Sequence, residues 1–407
     1  MASFSSSSSS PSSTSTRTLL FFCIVLTSTL AATDTKSKVI GSSCKHIESS
    51  CKRLNSIISF GDSLADTGNL LHLSTPMDTP HYALPPYGET YFHYPTGRCS
   101  NGRLIIDFLA QYLGIPMVPP YIRSKHHRSL SNNFSSGVNF AVAGATAMDK
   151  DYFEGRGVHI VVKNISLGTQ LGWFKQLLPS LCRTASDCEK LYKRSVVLVG
   201  EIGGNDYNHA LLAGISKDLV QTFVPPVVGR IASVITELIE LGARSIVVPG
   251  NLPIGCSAAY LTQFLNNSST QDYDPKTGCL IWLNNFAEYH NQMLQTELNR
   301  IQKLYPHAKI IYADYYNAAM PLYLNPNKLG FSSGALRACC GGRGPYHNNP
   351  SVECGKPPST VCGNPSLYVN WDGLHLTEAA YKFIFKRLFK GPSMVPPFKT
   401  LCAVSGS

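Results

Sequence analysis

The stretch "NSIISFGDSLADTGNL", residues 55–70, runs a short apolar segment straight into Gly-Asp-Ser. "SIISF" (56–60) does not alternate between apolar and polar, the pattern of a strand covered on both faces in a parallel sheet. Gly61, Asp62 and Ser63 then have two readings. They are ordinary turn formers, or Ser63 is a nucleophile presented at the carboxyl edge of a sheet, on a turn too tight for bulky side chains. The choice depends on what the remaining chain brings to that edge.

Three more segments have the same character: "SVVLVG" (195–200), "SIVVPG" (245–250) and "AKIIYA" (308–313). Between them lie amphipathic helices. In 227–241, Val227, Val228, Ile231, Val234, Ile235, Leu238 and Ile239 recur at three and four, and Gly242 stops the helix. Residues 280–304 repeat the pattern, with His290 on the apolar stripe as a hydrogen-bonded core histidine; 102–114 and 377–389 also read as helices. Strands alternating with helices predict an α/β fold with a central parallel sheet covered on both faces, and sites at the strand carboxyl ends. No linker divides the chain, so one domain is expected over 33–407, with its core at about 56–389. Residues 325–370 break the pattern: they carry Gly, Pro, Asn and four cysteines without periodicity. A structureless segment of that length is unusual in a compact domain, and disulfides make it tolerable. Its position before "NWDGLH" predicts a rim around the site.

The 407 residues are 43% apolar and 15% charged, without repeats, as in an ordinary globular chain. Residues 1–32 stand apart. One charge, Arg17, precedes "TLLFFCIVLTSTLAA", which ends in small residues and predicts a secretory signal cleaved near Ala31 or Ala32. The apolar run falls short of the ~20 residues a membrane span needs, and its compactness argues against a plastid transit peptide. A secreted or vacuolar protein without stable membrane insertion is expected. Removing Cys23 with the signal leaves twelve cysteines, an even set that predicts disulfides. Zinc is the competing reading, but no CxxC pair occurs. Cys182 and Cys188 flank a short polar loop and are expected to bridge; the other pairings stay open. Glycosylation sequons stand at Asn133, Asn164, Asn266 and Asn267, the last two adjacent and too crowded for both. The net charge of +10 is scattered; "RSKHHRS" (123–129) is its densest cluster, lacks interleaved aromatics and reads as a solvated loop. No nucleic-acid partner and no metal are implied, and nothing in the sequence fixes the oligomeric state.

A serine is a weak nucleophile until a base accepts its proton. "WDGLH" (371–375) supplies His375 as base and Asp372 as its orienter, three residues apart on one turn. Alone, Asp-x-x-His is equally a capping carboxylate beside an unrelated histidine. Acyl transfer also needs donors for the developing oxyanion. "GVNFAVAGATA" (137–147) offers Gly144, whose N–H can approach a ligand unobstructed, although Gly137 competes for that place. "VGEIGGNDYN" (199–208) offers the Asn205 amide; a phosphate loop there is excluded by the missing Lys-Ser/Thr. Judged singly, these are also a packing glycine and a turn asparagine. "LADTGN" places Asp66 and Asn69 where they hold the nucleophile turn rather than react.

In chain order, "GDSLADTGN", "GVNFAVAGAT", "GGND" and "DGLH" together resemble the GDSL esterase/lipase (SGNH hydrolase) family in its secreted plant form. The resemblance covers about Ser56 to Phe389, and no block residue is missing. It implies a flavodoxin-like three-layer sandwich, Ser63 as nucleophile, Asp372 and His375 as its partners, and an oxyanion hole of Ser63, Gly144 and Asn205. "VGEIGGNDYN", "RACCGGRGPY" and "YVNWDGLHLTEAAY" are similar to members that remove acyl groups from choline or alkaloid esters. The expected activity is a cofactor-free serine carboxylesterase acting on a small acyl or aromatic acyl ester. The alternatives are an acyltransferase using the same acyl-enzyme, a lipase for longer chains, and a wall- or glycan-binding protein with a vestigial site.

Overall fold

The fold grows from β1, Ser56–Phe60, all five of whose residues are buried. In the structure, a computed structural model that describes residues 51–126, 134–159, 163 and 165–402, β1 is flanked by two parallel neighbours. These are β2 (Gly137–Asn139) and β3 (Ser195–Val199). Beyond β3 follow β4 (Ser245–Pro249) and β5 (Lys309–Ala313), also parallel. A small antiparallel ribbon, β6 (Cys340–Gly341) with β7 (Thr360–Val361), stands apart, and β8 (Met394–Val395) closes the sheet antiparallel to β5. The order is β2-β1-β3-β4-β5-β8.

Adjacent strand residues explain why these segments read as apolar on both sides. Ile58, Phe60, Val197, Val199, Ile246 and Val248 face one hydrophobic cluster, shared with helices Leu167–Leu181, Val224–Glu240 and Ile281–Leu304. Ile57, Val196, Val247 and Ile311 face a second cluster, with helices Ile105–Leu113, Tyr315–Leu324 and Glu378–Phe389. The result is helix, sheet, helix, as the alternation predicts. Each fully buried aliphatic chain gains about 1.5–3 kcal/mol over exposure, so both helical layers are held by the face the sequence marks. The helix read at 227–241 begins earlier, at Val224, because Pro225 and Pro226 occupy first-turn positions where a missing N–H costs nothing. Gly242 ends it at φ +117°, with its N–H on Ile239 O and that of Ala243 on Leu238 O. His290 is a core residue: its Nδ1 lies 2.8 Å from the Tyr207 hydroxyl, and burial lowers its pKa to about 4.

The strand order puts the chain reversal between β1 and β3, so the loops leaving their carboxyl ends part and open a crevice. Ser63 follows β1 and Asn205 follows β3.

The segment before "NWDGLH" differs from its reading as a rim. Cys339–Cys362 and Cys340–Cys354 staple it, and it lies alongside Asn370 and Trp371. Cys339 N donates to Asn370 O (3.0 Å) and Cys340 N to Trp371 O (2.7 Å). It is therefore a buttress behind the Asp372 turn. Cys182–Cys188 bridge as read, and Cys51–Cys402 and Cys256–Cys279 are the further pairs among the described residues. Cys44, the segment 1–32, Asn133 and Asn164 lie outside the described residues; Asn266 and Asn267 are exposed on a turn, Leu265–Asn267.

Candidate active site

After β1 the chain must turn sharply beneath β3, and Gly61 lets it do so: φ is +143°, and a Cβ there would meet Glu201 O at 3.0 Å. Gln170 locks the turn, accepting from Gly61 N (2.9 Å) and donating to Gly61 O (2.8 Å). Asp66 then accepts four N–H groups, from Gly68, Asn69, Leu70 and Ala143, at 2.6–3.1 Å. Asn69 donates to Asn139 O and Ala141 O, both at 2.8 Å, and accepts from Ile122 N (2.9 Å). Both residues hold the turn and tie it to the segment after β2, as the sequence reading expects.

Ser63 Oγ lies 2.9 Å from His375 Nε2, across 312 positions of chain. The other ring nitrogen, Nδ1, lies 2.9 and 3.1 Å from the two Asp372 oxygens. Asp372 Oδ1 also accepts the N–H groups of Leu374 and His375, at 2.8 Å each, so the short turn fixes its own carboxylate. Burial works against the ionised form of Asp372, but the His375 charge and these hydrogen bonds outweigh it and hold the carboxyl well below its usual range. For His375, burial pulls the pKa down and the Asp372 carboxylate more than restores it, leaving it above its usual 6.5.

One further partner carries no sequence signal. The buried Tyr87 hydroxyl donates to Asp372 Oδ2 at 2.8 Å, from 285 positions away. A buried phenol needs such a partner, but nothing in "PPYGET" (85–90) says which carboxylate supplies it.

Gly144 has φ +81° and lines the cleft beside Ser63. Gly137 does not compete with it: it lies inside β2, where a Cβ would collide with Ile57 backbone at 1.8 Å. Asn205 is on the first turn of helix Gly204–Leu212, its Nδ2 directed to Ala145 O (3.1 Å) and Asp62 Oδ2 (3.3 Å). Neighbouring N–H groups are committed: Asp62 to Glu201 O, Leu64 to Asp62 Oδ1, Ala143 to Asp66 and Ala145 to Val142 O.

Two clefts meet at Ser63, His375, Asn205, Asn208 and Leu374. The narrower has a volume of about 70 Å³ and reaches Glu201, Pro253, Tyr260 and Tyr323. The wider, about 410 Å³, is bounded by Tyr82, Cys99, His159, His209 and Leu212. Of residues 325–370 only Asn370, at the end of the segment, lines either cleft, whereas the 66–100 loop contributes Tyr82 and Cys99. Among the described residues no group of three His, Cys, Asp or Glu is arranged to hold a metal ion. A hydroxyl, an imidazole oriented by a carboxylate, and amide donors around one crevice can carry out nucleophilic acyl transfer.

Residues 57–388 match the model of the GDSL-like lipase/acylhydrolase family. GDSL esterase/lipase At1g28580 of Arabidopsis thaliana is 50% identical over 382 residues, covering 94% of this chain and 94% of that protein. GDSL esterase/lipase At1g28590, from the same plant, is 51% identical over 380 residues, 93% of this chain and 90% of its own length. A third Arabidopsis protein, GDSL esterase/lipase At1g28610, is 52% identical over 382 residues and 94% of both chains.

Proposed function

The chain belongs to the GDSL-like lipase/acylhydrolase family and is a carboxylic ester hydrolase; from that premise we propose that it works through an acyl-enzyme at Ser63. His375 Nε2 takes the Ser63 proton as Oγ attacks the ester carbonyl. The Asp372 carboxylate fixes the tautomer and balances the imidazolium. Negative charge on the carbonyl oxygen is met by the N–H groups of Ser63 and Gly144 and the Asn205 amide. Collapse expels the alcohol, which receives the proton from His375. Water, deprotonated by the same imidazole, then attacks the acyl-enzyme and releases the acid.

The supporting observation is the unbroken relay from Asp372 through His375 to Ser63 Oγ. The substrate in this reading is a small acyl or aromatic acyl ester, such as an acetylated or sinapoylated plant metabolite. The protein is exported after loss of residues 1–32 to the extracellular space or vacuole, in keeping with five disulfides among the described residues and with the exposed Asn266 and Asn267 as glycan acceptors.

The test is a fluorophosphonate probe with an ester panel: p-nitrophenyl acetate, a long-chain ester, a sinapoyl ester and an acetylated alkaloid. Labelling at Ser63, and loss of both labelling and turnover in Ser63→Ala, are expected. Near-normal turnover by Ser63→Ala overturns the assignment. Acylated product in place of free acid, when an acceptor alcohol is present, converts the reading to acyl transfer.

A further inference from the structure

Asn205 supplies the side-chain donor of the proposed oxyanion hole, and an amide has a donor end and an acceptor end of nearly the same shape. One backbone carbonyl decides which end faces which way. Ala145 O can only accept, so the atom 3.1 Å from it is Nδ2 of Asn205. The opposite atom, Oδ1, then needs a donor. Asn208, three residues on in the same helix, supplies it, with its Nδ2 at 3.2 Å. That leaves Asn208 Oδ1 to accept, and the Tyr260 hydroxyl donates to it at 2.6 Å. Tyr260 is fully buried, and burial raises its pKa, so the phenol keeps its proton. Both ends of this chain of bonds are anchored. Asp206 of the same helix accepts from Ala147 N (2.8 Å) and Met148 N (3.0 Å), which fixes the segment carrying Ala145. Helix Ala258–Gln263, which carries Tyr260, is tied to the Asp372 turn by Ala259 N on Gly373 O at 2.9 Å.

Resting on the acyl-enzyme reading, we propose that Asn208 and Tyr260 are positioning residues that hold the Asn205 amide with its donor end toward the reacting carbonyl oxygen. Nδ2 has two protons. Ala145 O takes one, and the reacting oxygen draws on the other, whose resting contact with Asp62 Oδ2 is the longer at 3.3 Å. Were the Asn205 amide reversed, Oδ1 would meet the developing negative charge, and a stabilising dipole would become a repelling one. The Asn208 donor opposes that reversal. Tyr260 acts one bond further out, by preventing the same reversal in Asn208. A carboxylate at 208 could only accept, and it would pull Asn205 Nδ2 round to itself. Asn208 lines both clefts beside Ser63, so direct contact with substrate is the competing role.

The experiment measures kcat and KM with p-nitrophenyl acetate, a thermal melt, and fluorophosphonate labelling of Ser63. The proteins are the unaltered enzyme, Tyr260→Phe, Asn208→Asp, Asn205→Ala and the double variant Asn205→Ala/Asn208→Asp. Asn205→Ala should lose about 10²–10³ in kcat. Asn208→Asp should lose about 10², with KM within about twofold. Tyr260→Phe, which keeps the ring, should lose about 3- to 10-fold, the factor expected for one hydrogen bond. In the Asn205→Ala background there is no amide to orient, so adding Asn208→Asp should cost less than about threefold. A residue that touches substrate, or one that only holds the fold, would cost the same in both backgrounds. Equal losses in the two backgrounds therefore overturn the proposal, as does an unchanged kcat in Asn208→Asp. Labelling of Ser63 in the unaltered enzyme separates these failures from failure of the acyl-enzyme reading. Its absence there overturns that reading, and this proposal with it.

Discussion

Ser63 stands on a turn whose braces come from the sheet and its covering helix, whereas Asp372 and His375 stand on a turn braced by irregular chain. On the first side the contacts are Gln170 on Gly61, Asp66 on four backbone amides, and Asn69 on the strand-end segment 139–141. On the second, Cys339 and Cys340 hydrogen-bond to Asn370 and Trp371, Asn370 donates to Ala335 O at 2.9 Å, and two disulfides hold that segment in shape. The two sides meet to within one hydrogen bond at Ser63 and His375. Equal placement is thus reached by different physics: periodic backbone pairing around a core on one side, covalent staples and side-chain amides on the other. Their failure should differ accordingly.

The largest effect belongs to the link between the sides. Asp372→Asn leaves the shape and removes the charge that orients His375, so kcat/KM should fall by about 10⁴. The Asp372 carboxylate also holds the His375 pKa above 6.5 against the opposite pull of burial. With the neutral ring as the proposed base, the unaltered enzyme should lose activity below a pH above 6.5. The residual acid limb of Asp372→Asn should lie lower, and an unmoved limb in a kcat/KM–pH series breaks the link.

Next comes the sheet side. Asn69→Ala strands Asn139 O, Ala141 O and the Ile122 N–H without their partner in a buried place. The expected cost is about 4 kcal/mol of global stability, read by urea unfolding with activity and secondary structure lost together. A cost below 1 kcal/mol would remove Asn69 from the bracing.

The smallest effect is on the stapled side. Cys340 and Cys354 close a loop of 14 positions, and replacing both with serine should loosen that segment by about 3 kcal/mol. Because it lies outside the sheet, activity should fade at lower urea than far-UV circular dichroism. Coincident midpoints would merge the two sides into one cooperative unit.

What was legible follows the same division. The four strands read from the sequence and the helices near 227–241, 280–304, 102–114 and 377–389 recur because burial on both faces, or on one stripe, leaves a periodic trace. β2 was legible only as part of a strand-end segment at 137–147, because three residues leave no period, and β8 escaped because two residues pairing at an edge leave none either. The 325–370 segment escaped in a different way: its cysteines foretold stapling, but staples carry no direction, and it became a buttress instead of a rim. Tyr87 was invisible as a site residue, since a phenol in a short motif does not name its partner.

By itself the sequence determined the sheet's buried strands, its helical layers and the residue types of an acyl-transfer site, because hydrophobic period and turn chemistry are local. Only the tertiary structure decided which side chains meet: that 312 positions close to a 2.9 Å contact, that Gly144 and not Gly137 borders the cleft, and that Tyr87 reaches Asp372. Contacts between distant segments depend on strand order and loop path, which no local pattern encodes.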